Sequence, residues 1–194
     1  MIVLLLACSK TDAELTEASI RLLSEGRSTA AAAACLEMKE TRAAEECTWH
    51  VAASIAASDD TKAASICAPL SEGSRDECLF RVAEGAGRLD GCSAAGSLER
   101  KCRLHFYRDG LATWVSADAR VGSVQADAEA KMREYGLEPD VEAAWFRTYR
   151  YVIGETASDT TTDECSRLPQ IPATACHRAL EAAERSPDIH RSGG

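Results

Sequence analysis

Two cysteines bracket a chain reversal in the stretch Cys67-Ala-Pro-Leu-Ser-Glu-Gly-Ser-Arg-Asp-Glu-Cys78. On one continuous helix, cysteines at this spacing would lie about 16 Å apart, because each residue adds about 1.5 Å of rise. A disulfide requires the two Cα atoms to lie within about 7 Å of each other. A disulfide between these cysteines therefore requires the chain to turn back, and Pro69 and Gly73 supply the turn signals.

The same spacing occurs four times along the chain. Eight cysteines form pairs that are separated by 11, 10, 9 and 10 residues. The predicted disulfides are Cys35–Cys47, Cys67–Cys78, Cys92–Cys102 and Cys165–Cys176. Gly96 lies in the third gap, and Pro169 and Pro172 lie in the fourth, whereas the first gap, 36–46, has neither glycine nor proline. Its reversal is therefore the least expected, and the pairing stays a hypothesis because spacing alone leaves other connectivities open.

The residues that follow the second cysteine share a frame in three of the four pairs, and the fourth, after Cys176, keeps only the apolar residue at +4. After Cys47, Cys78 and Cys102, a large apolar residue lies at position +2, a basic residue or histidine at +3, and an apolar residue at +4. Because a cysteine and its +4 residue share a helix face, we expect the +4 residue to pack beside the disulfide. The repeat length of about 25–32 residues is typical of helical solenoids. The sequence predicts an all-α fold of stacked helical hairpins, a short α-solenoid-like array in which a disulfide closes each hairpin.

Local signals predict where several helices begin and end. Capping boxes at Thr11–Glu14 and Ser74–Glu77 predict helix starts, and Gly26 and Gly136 predict helix stops. The stretch Ser116–Tyr135 is predicted as one helix. We expect no strand, because valine and isoleucine are sparse and do not alternate with polar residues.

The hairpins do not fill the whole chain. Residues 9–110 form the predicted hairpin array, 111–153 a cysteine-free helical insert, 154–185 a last loop and hairpin, and 186–194 a disordered tail. The insert holds two of the three tryptophans, so we expect it to buttress the array. Its aromatic stripe includes the candidate binding residues Trp145 and Tyr149, although such a stripe is more often part of a core.

The N-terminus resembles a bacterial lipobox. Leu5-Leu6-Ala7-Cys8 combines an apolar stretch, a small residue at the cleavage point and a thiol that can be acylated. The resemblance implies that residues 1–8 carry an export signal and that Cys8 becomes a lipidated anchor in a membrane. A location in the bacterial cell envelope agrees with the cysteine pairs, because disulfides persist in oxidising compartments. No segment reaches the roughly 18–20 apolar residues of a membrane-spanning helix.

The hairpins also resemble repeats of exported bacterial and archaeal proteins, in which an Arg-Asp-x-Cys phrase opens the second helix. The segment Ser74-Arg-Asp-Glu-Cys-Leu-Phe-Arg-Val-Ala83 carries this phrase, and looser versions begin at Glu45 and Glu99. The resemblance implies an architecture and no catalytic residue. Since solenoid stacks in general bind proteins along an extended surface, it favours a protein or peptide partner by analogy of fold.

Composition and motifs argue against other classes of function. A net charge of −9 disfavours binding to nucleic acid. His50, His105 and His177 each lie close to a cysteine in sequence, but every such cysteine has a better-spaced cysteine partner, so we predict no metal or cofactor. We expect a non-enzymatic, lipid-anchored protein that binds a partner protein or peptide. Two alternatives stay open: a carrier of a small apolar ligand held between the insert and the hairpins, and an enzyme of unknown class.

Overall fold

The computed structural model describes residues 10–138, 141–155 and 160–185. These residues form ten α-helices and one 3-10 helix, with no strand among them, which confirms the all-α prediction. The helices are α1 (Asp12–Ser24), α2 (Ser28–Leu36), α3 (Thr41–Ala56), α4 (Asp60–Cys67), α5 (Glu72–Ala86), the 3-10 helix (Leu89–Leu98), α6 (Glu99–Trp114), α7 (Gln125–Glu134), α8 (Val141–Glu155), α9 (Thr162–Ser166) and α10 (Gln170–Arg185). The predicted signal at 1–8, with Cys8, and the predicted tail at 186–194 lie outside the described residues.

Disulfides close the helical hairpins. Three of the pairs predicted from spacing are bonded, with Cα–Cα distances of 5.5, 5.7 and 5.5 Å: Cys35–Cys47, Cys67–Cys78 and Cys165–Cys176. They join α2 to α3, α4 to α5, and α9 to α10. Cys92 and Cys102 are disulfide-bonded as well, so the described residues contain four disulfides.

The chain divides into two compact units, Met1–Glu99 and Arg100–Gly194. The domain boundary predicted at residue 110 instead falls inside α6. Trp145 of the predicted insert and the Cys165–Cys176 disulfide of the last hairpin belong to one hydrophobic core. Aromatic side chains on α6 and α8 fill this core. Nearly all of α6 therefore belongs to the second unit.

In the first unit, consecutive hairpins pack through small side chains. α3 contacts α2 within its own hairpin, and it contacts α4 and α5 of the next hairpin. Ala31, Ala52 and Ala63 are almost fully buried at these contacts. The +4 residues Val51 and Val82 are 1% and 6% exposed and belong to one buried cluster with Cys35, Cys67 and Cys78. The +4 residue after Cys102, Phe106, is only partly buried.

The first hairpin reverses without glycine or proline because α1 supplies a distant cap. The Asp12 carboxylate accepts hydrogen bonds from the backbone N–H groups of Lys39 and Glu40, at 2.9 and 3.0 Å. The Glu40 carboxylate in turn accepts the N–H groups of Arg42 and Ala43 at the start of α3. These bonds satisfy amides that a helix start leaves unpaired. The signal that the gap 36–46 lacks therefore lies 27 residues before Lys39 in the sequence.

The capping box predicted at Ser74–Glu77 is wrong. α5 begins at Glu72, with Ser71 at the N-cap position, so Ser74 lies within the helix. Ser74 instead accepts the indole N–H of Trp49 on α3, and Asp76 accepts both the backbone N–H and the hydroxyl of Ser97, at 2.8 and 2.7 Å. Polar residues that look like a local cap thus hold α5 to its neighbours.

The second unit is organised around α8, which packs against α10. In its core the Tyr107 hydroxyl lies 2.6 Å from Thr148 Oγ1. The helix predicted over Ser116–Tyr135 is shorter than expected, because α7 begins only at Gln125. The Ser123 side chain bonds the N–H and the carbonyl of Arg120, which favours a turn over a continuing helix.

Candidate functional site

A groove of about 610 Å³ lies between α3 and α5 in the first unit. We call it the α3–α5 groove. Its lining residues are Arg42, Glu46, Trp49, His50, Ala53, Arg81, Glu84 and Gly85. The α3 residues recur at intervals of one to four positions along one face of the helix. The two helices come very close at Gly85, where a Cβ atom would lie only 2.5 Å from the carbonyl oxygen of Ala53.

Trp49 forms a fixed apolar wall of this groove. Its indole N–H donates to the backbone oxygen of Ser74 at 3.0 Å and lies 3.2 Å from the Ser74 hydroxyl. The guanidinium carbon of Arg42 lies 4.9 Å from the centroid of the indole ring, a cation–π contact. A tryptophan whose indole edge is hydrogen-bonded in this way loses little conformational freedom when a ligand packs on it.

Two arginines lie on opposite walls of the groove. Arg42 on α3 pairs with Glu46 at 2.5 Å, and Arg81 on α5 pairs with Glu77 and Glu84 at 3.0 and 3.4 Å. The two arginine side chains are 65% and 49% exposed. Exposed ion pairs within one helix contribute little to stability, so either guanidinium can turn toward a bound carboxylate at small cost.

The histidines considered for an enzyme lie on three different helices with different neighbours. His50 on α3 is exposed and lines the groove. His105 on α6 contacts Arg108, and its Nδ1 lies 3.6 Å from the Asp109 carboxylate. His177 on α10 lies 3.3 Å from the Ser166 hydroxyl. Within the described parts of the chain, no group of three histidine, cysteine or acidic residues is arranged to hold a metal ion.

The candidate binding residues Trp145 and Tyr149 lie in the core of the second unit. They are 2% and 0% exposed, and their rings stack with centroids 5.3 Å apart. Burial raises the pKa of Tyr149, and it raises the pKa of Tyr107 to about 12 although the hydrogen bond to Thr148 acts in the opposite direction. These side chains are packed core residues, as an aromatic stripe usually is, and they do not line the α3–α5 groove.

A smaller cavity of about 350 Å³ lies between α4, α5 and the 3-10 helix. Much of its lining is apolar and includes Leu79, Val82 and Ala86. Arg88 also lines it and pairs with carboxylates on either side, at 2.5 Å from Asp60 and 2.7 Å from Asp90. This cavity has the character of a site for a small apolar group.

The frame after the cysteines contained a signal for the α3–α5 groove. Trp49 and His50 occupy positions +2 and +3 after Cys47, and Arg81 occupies position +3 after Cys78. The +3 residues of two consecutive hairpins therefore line the same groove. The frame alone did not identify them as a site, because their meeting depends on how α5 packs against α3.

No protein-family model, no curated protein and no solved structure matches this chain. Its fold and cysteines define the class to which it belongs, an all-helical protein with disulfide-closed hairpins. Four disulfides indicate an oxidising, extracellular-type environment. Among the helices of the described residues, none combines the length and the apolar character needed to cross a membrane.

Proposed function

We propose that this chain is a non-enzymatic protein of the bacterial cell envelope, held at a membrane by a lipid on Cys8, that binds a segment of a partner protein. The α3–α5 groove is the observation that carries the proposal. Its volume of about 610 Å³ can hold several side chains of a peptide. The rigid Trp49 supplies an apolar anchor of the kind that dominates protein–protein interfaces.

The groove is lined by two arginines and two glutamates, and a carboxylate on a partner segment would take the place of these glutamates at the guanidinium groups. Arg42 uses its Nε on Glu46 and stacks on Trp49, and a guanidinium offers further N–H donors. Arg81 presents a second guanidinium from the opposite wall. Bidentate contact with a carboxylate is the interaction that guanidinium geometry fits best. We therefore assign the partner an acidic residue close to an apolar one.

The proposed anchor would place the start of α1, and with it the first unit, close to the membrane. α1 begins at Asp12, only four residues after Cys8. Four residues of fully extended chain span at most about 14 Å. A partner of the first unit would therefore be another protein of the same membrane surface, or one that approaches it closely.

Site-specific photo-crosslinking in cells that produce the protein tests this function. A photoreactive residue in place of exposed His50 should crosslink one discrete protein. The same residue at Gly73, where an added side chain meets no atom within 4 Å, should not. Reversing the charges with Arg42→Glu and Arg81→Glu should abolish the crosslink from position 50. Equal products from positions 50 and 73, or a crosslink that survives charge reversal, would contradict the proposal.

A carrier of a small apolar ligand is the second candidate, and the 350 Å³ cavity beside Leu79 is what favours it. Native mass spectrometry of the protein purified from its producing cells separates the two functions. A bound small molecule that is lost in Val82→Trp, which fills the cavity, would favour the carrier. Protein without added mass would leave the groove as the better supported site.

A further inference from the structure

The cysteines of this protein differ in how far they are buried. Seven of the eight in the described residues have no exposed surface: Cys35, Cys67, Cys78, Cys92, Cys102, Cys165 and Cys176. Cys47 alone among them is partly exposed. Thiol–disulfide exchange requires a thiolate to reach a sulfur atom, so access selects the disulfide that reacts. Among the disulfides of the described residues, Cys35–Cys47 is therefore the one with exposed surface on one of its cysteines.

Ser19 on α1 lies beside both sulfur atoms of this disulfide. Its Oγ is 3.2 Å from Cys35 Sγ and 3.6 Å from Cys47 Sγ, and the residue is only 2% exposed. A buried hydroxyl at this position donates a hydrogen bond to whichever sulfur becomes negatively charged. Donation of this kind lowers the pKa of a thiol and makes it a better leaving group.

We propose that Cys35–Cys47 is a site of thiol–disulfide exchange with a dithiol reductant, and that Cys47 is the sulfur attacked. The attacking thiolate forms a bond to Cys47 Sγ while the Cys35–Cys47 bond breaks. The electron pair of that bond goes to Cys35 Sγ, which leaves as a thiolate and accepts the hydrogen bond from Ser19. The second thiolate of the reductant then attacks the reductant's own sulfur in the mixed disulfide and releases Cys47 as a thiolate.

The step balances without a further reactant. Two electrons pass from the dithiol to the protein, the reductant becomes a disulfide, and the two protein thiolates take up protons from water. The reverse reaction with an oxidised partner closes the bond again. Since α3 carries both Cys47 and Trp49, opening this disulfide would release one covalent tie on a wall of the α3–α5 groove and leave Cys67–Cys78 intact.

Partial reduction of the oxidised full-length chain tests the proposal. Samples are treated with limiting dithiothreitol under native conditions, alkylated at intervals, and analysed by peptide mapping. Cys35 and Cys47 should be alkylated well before Cys67 and Cys78. A monothiol such as glutathione, used in place of dithiothreitol, should leave its mixed disulfide on Cys47 and not on Cys35.

Ser19→Ala separates the role of the hydroxyl from simple access. Loss of the hydrogen bond that stabilises the Cys35 thiolate should slow reduction of Cys35–Cys47 about threefold and leave Cys67–Cys78 unchanged. The control is Ser24→Ala, an exposed hydroxyl on the same helix that bonds only to the Arg21 carbonyl in its own turn.

Three results would overturn the proposal. They are parallel reduction of all the disulfides at the rate of global unfolding, a glutathione adduct on Cys35, and unchanged kinetics at Cys35–Cys47 in a folded Ser19→Ala variant. The first two are measured on the unmodified protein. The proposal therefore stays open to refutation even if Ser19→Ala does not fold.

Discussion

One methyl group on α5 tests how consecutive hairpins pack. In Gly85→Ala, the new Cβ would lie 2.5 Å from the Ala53 carbonyl oxygen and 3.2 Å from the Ala56 Cβ. The oxygen belongs to the α3 backbone, so it can move only if that helix moves. Overpacking of this kind costs about 1–3 kcal/mol, and the gain in helix propensity from Gly to Ala offsets about 0.5–1 kcal/mol of it. We expect a net loss of about 1–2 kcal/mol in the free energy of unfolding.

Gly73→Ala is the matched control, since Gly73 lies on the same helix and a Cβ there meets no atom within 4 Å. This change should stabilise the protein by about 0.5 kcal/mol. Urea unfolding of the oxidised variants, followed by circular dichroism, should therefore separate them by about 2 kcal/mol. Equal stability of Gly85→Ala and Gly73→Ala would contradict the close approach of α3 and α5. It would also contradict the shape described for the α3–α5 groove.

Two further predictions concern polar groups. Tyr149→Phe removes a buried hydroxyl that has no hydrogen-bond partner among the described residues, so urea denaturation should show no loss of stability. Tyr107→Phe removes the 2.6 Å bond to Thr148 and should cost about 1 kcal/mol, and the reverse order of the two variants would refute this assignment. The hydroxyl and N–H of Ser97 lower the pKa of Asp76, so the stabilisation from Asp76 is complete above the usual carboxyl pKa of about 3.9 and is lost as the pH falls below it. In acid unfolding curves, Asp76→Asn should be less stable than wild type at neutral pH and converge with it at low pH, whereas a constant difference would contradict this role.

The hairpin plan could be predicted because it follows from local geometry. A disulfide between cysteines about ten residues apart requires a reversal, whatever the rest of the chain does. The burial of Val51 and Val82 follows equally from helix periodicity, since each lies four residues after a bonded cysteine. The stop at Gly26 is local too, because its φ of +74° is a left-handed conformation that favours glycine.

What the sequence did not reveal depends on residues that are distant in the chain. Within 36–46 only Glu40 contributes to the cap on the first reversal, and the rest comes from Asp12, 27 residues before Lys39. Ser74 and Asp76 match a local capping pattern but bond to Trp49 and Ser97 on other elements. Helical patterns set which side chains share a face, and they do not set which face of another helix those side chains meet.

The candidate site could not be predicted from the sequence either, because it also depends on contacts between residues that are distant in the chain. The aromatic stripe that includes Trp145 favoured a binding site in the second unit, but Trp145 is part of the hydrophobic core there. The groove instead uses Trp49, whose half-buried position results from the contact of α3 with α5. That contact depends on a glycine at position 85, and the periodicity of α5 does not distinguish that glycine from Gly73.

The intact mass of the protein, isolated from the membranes of its producing cells before and after reduction, tests the central claim most directly. The claim is that disulfides close the hairpins in an oxidising compartment. Reduction of four disulfides adds two hydrogens each, so the mass should rise by about 8 units. The proposed anchor further predicts a chain that begins at Cys8 and carries added acyl mass. A mass that does not change on reduction would mean that the cysteines are free thiols, and it would contradict the claim.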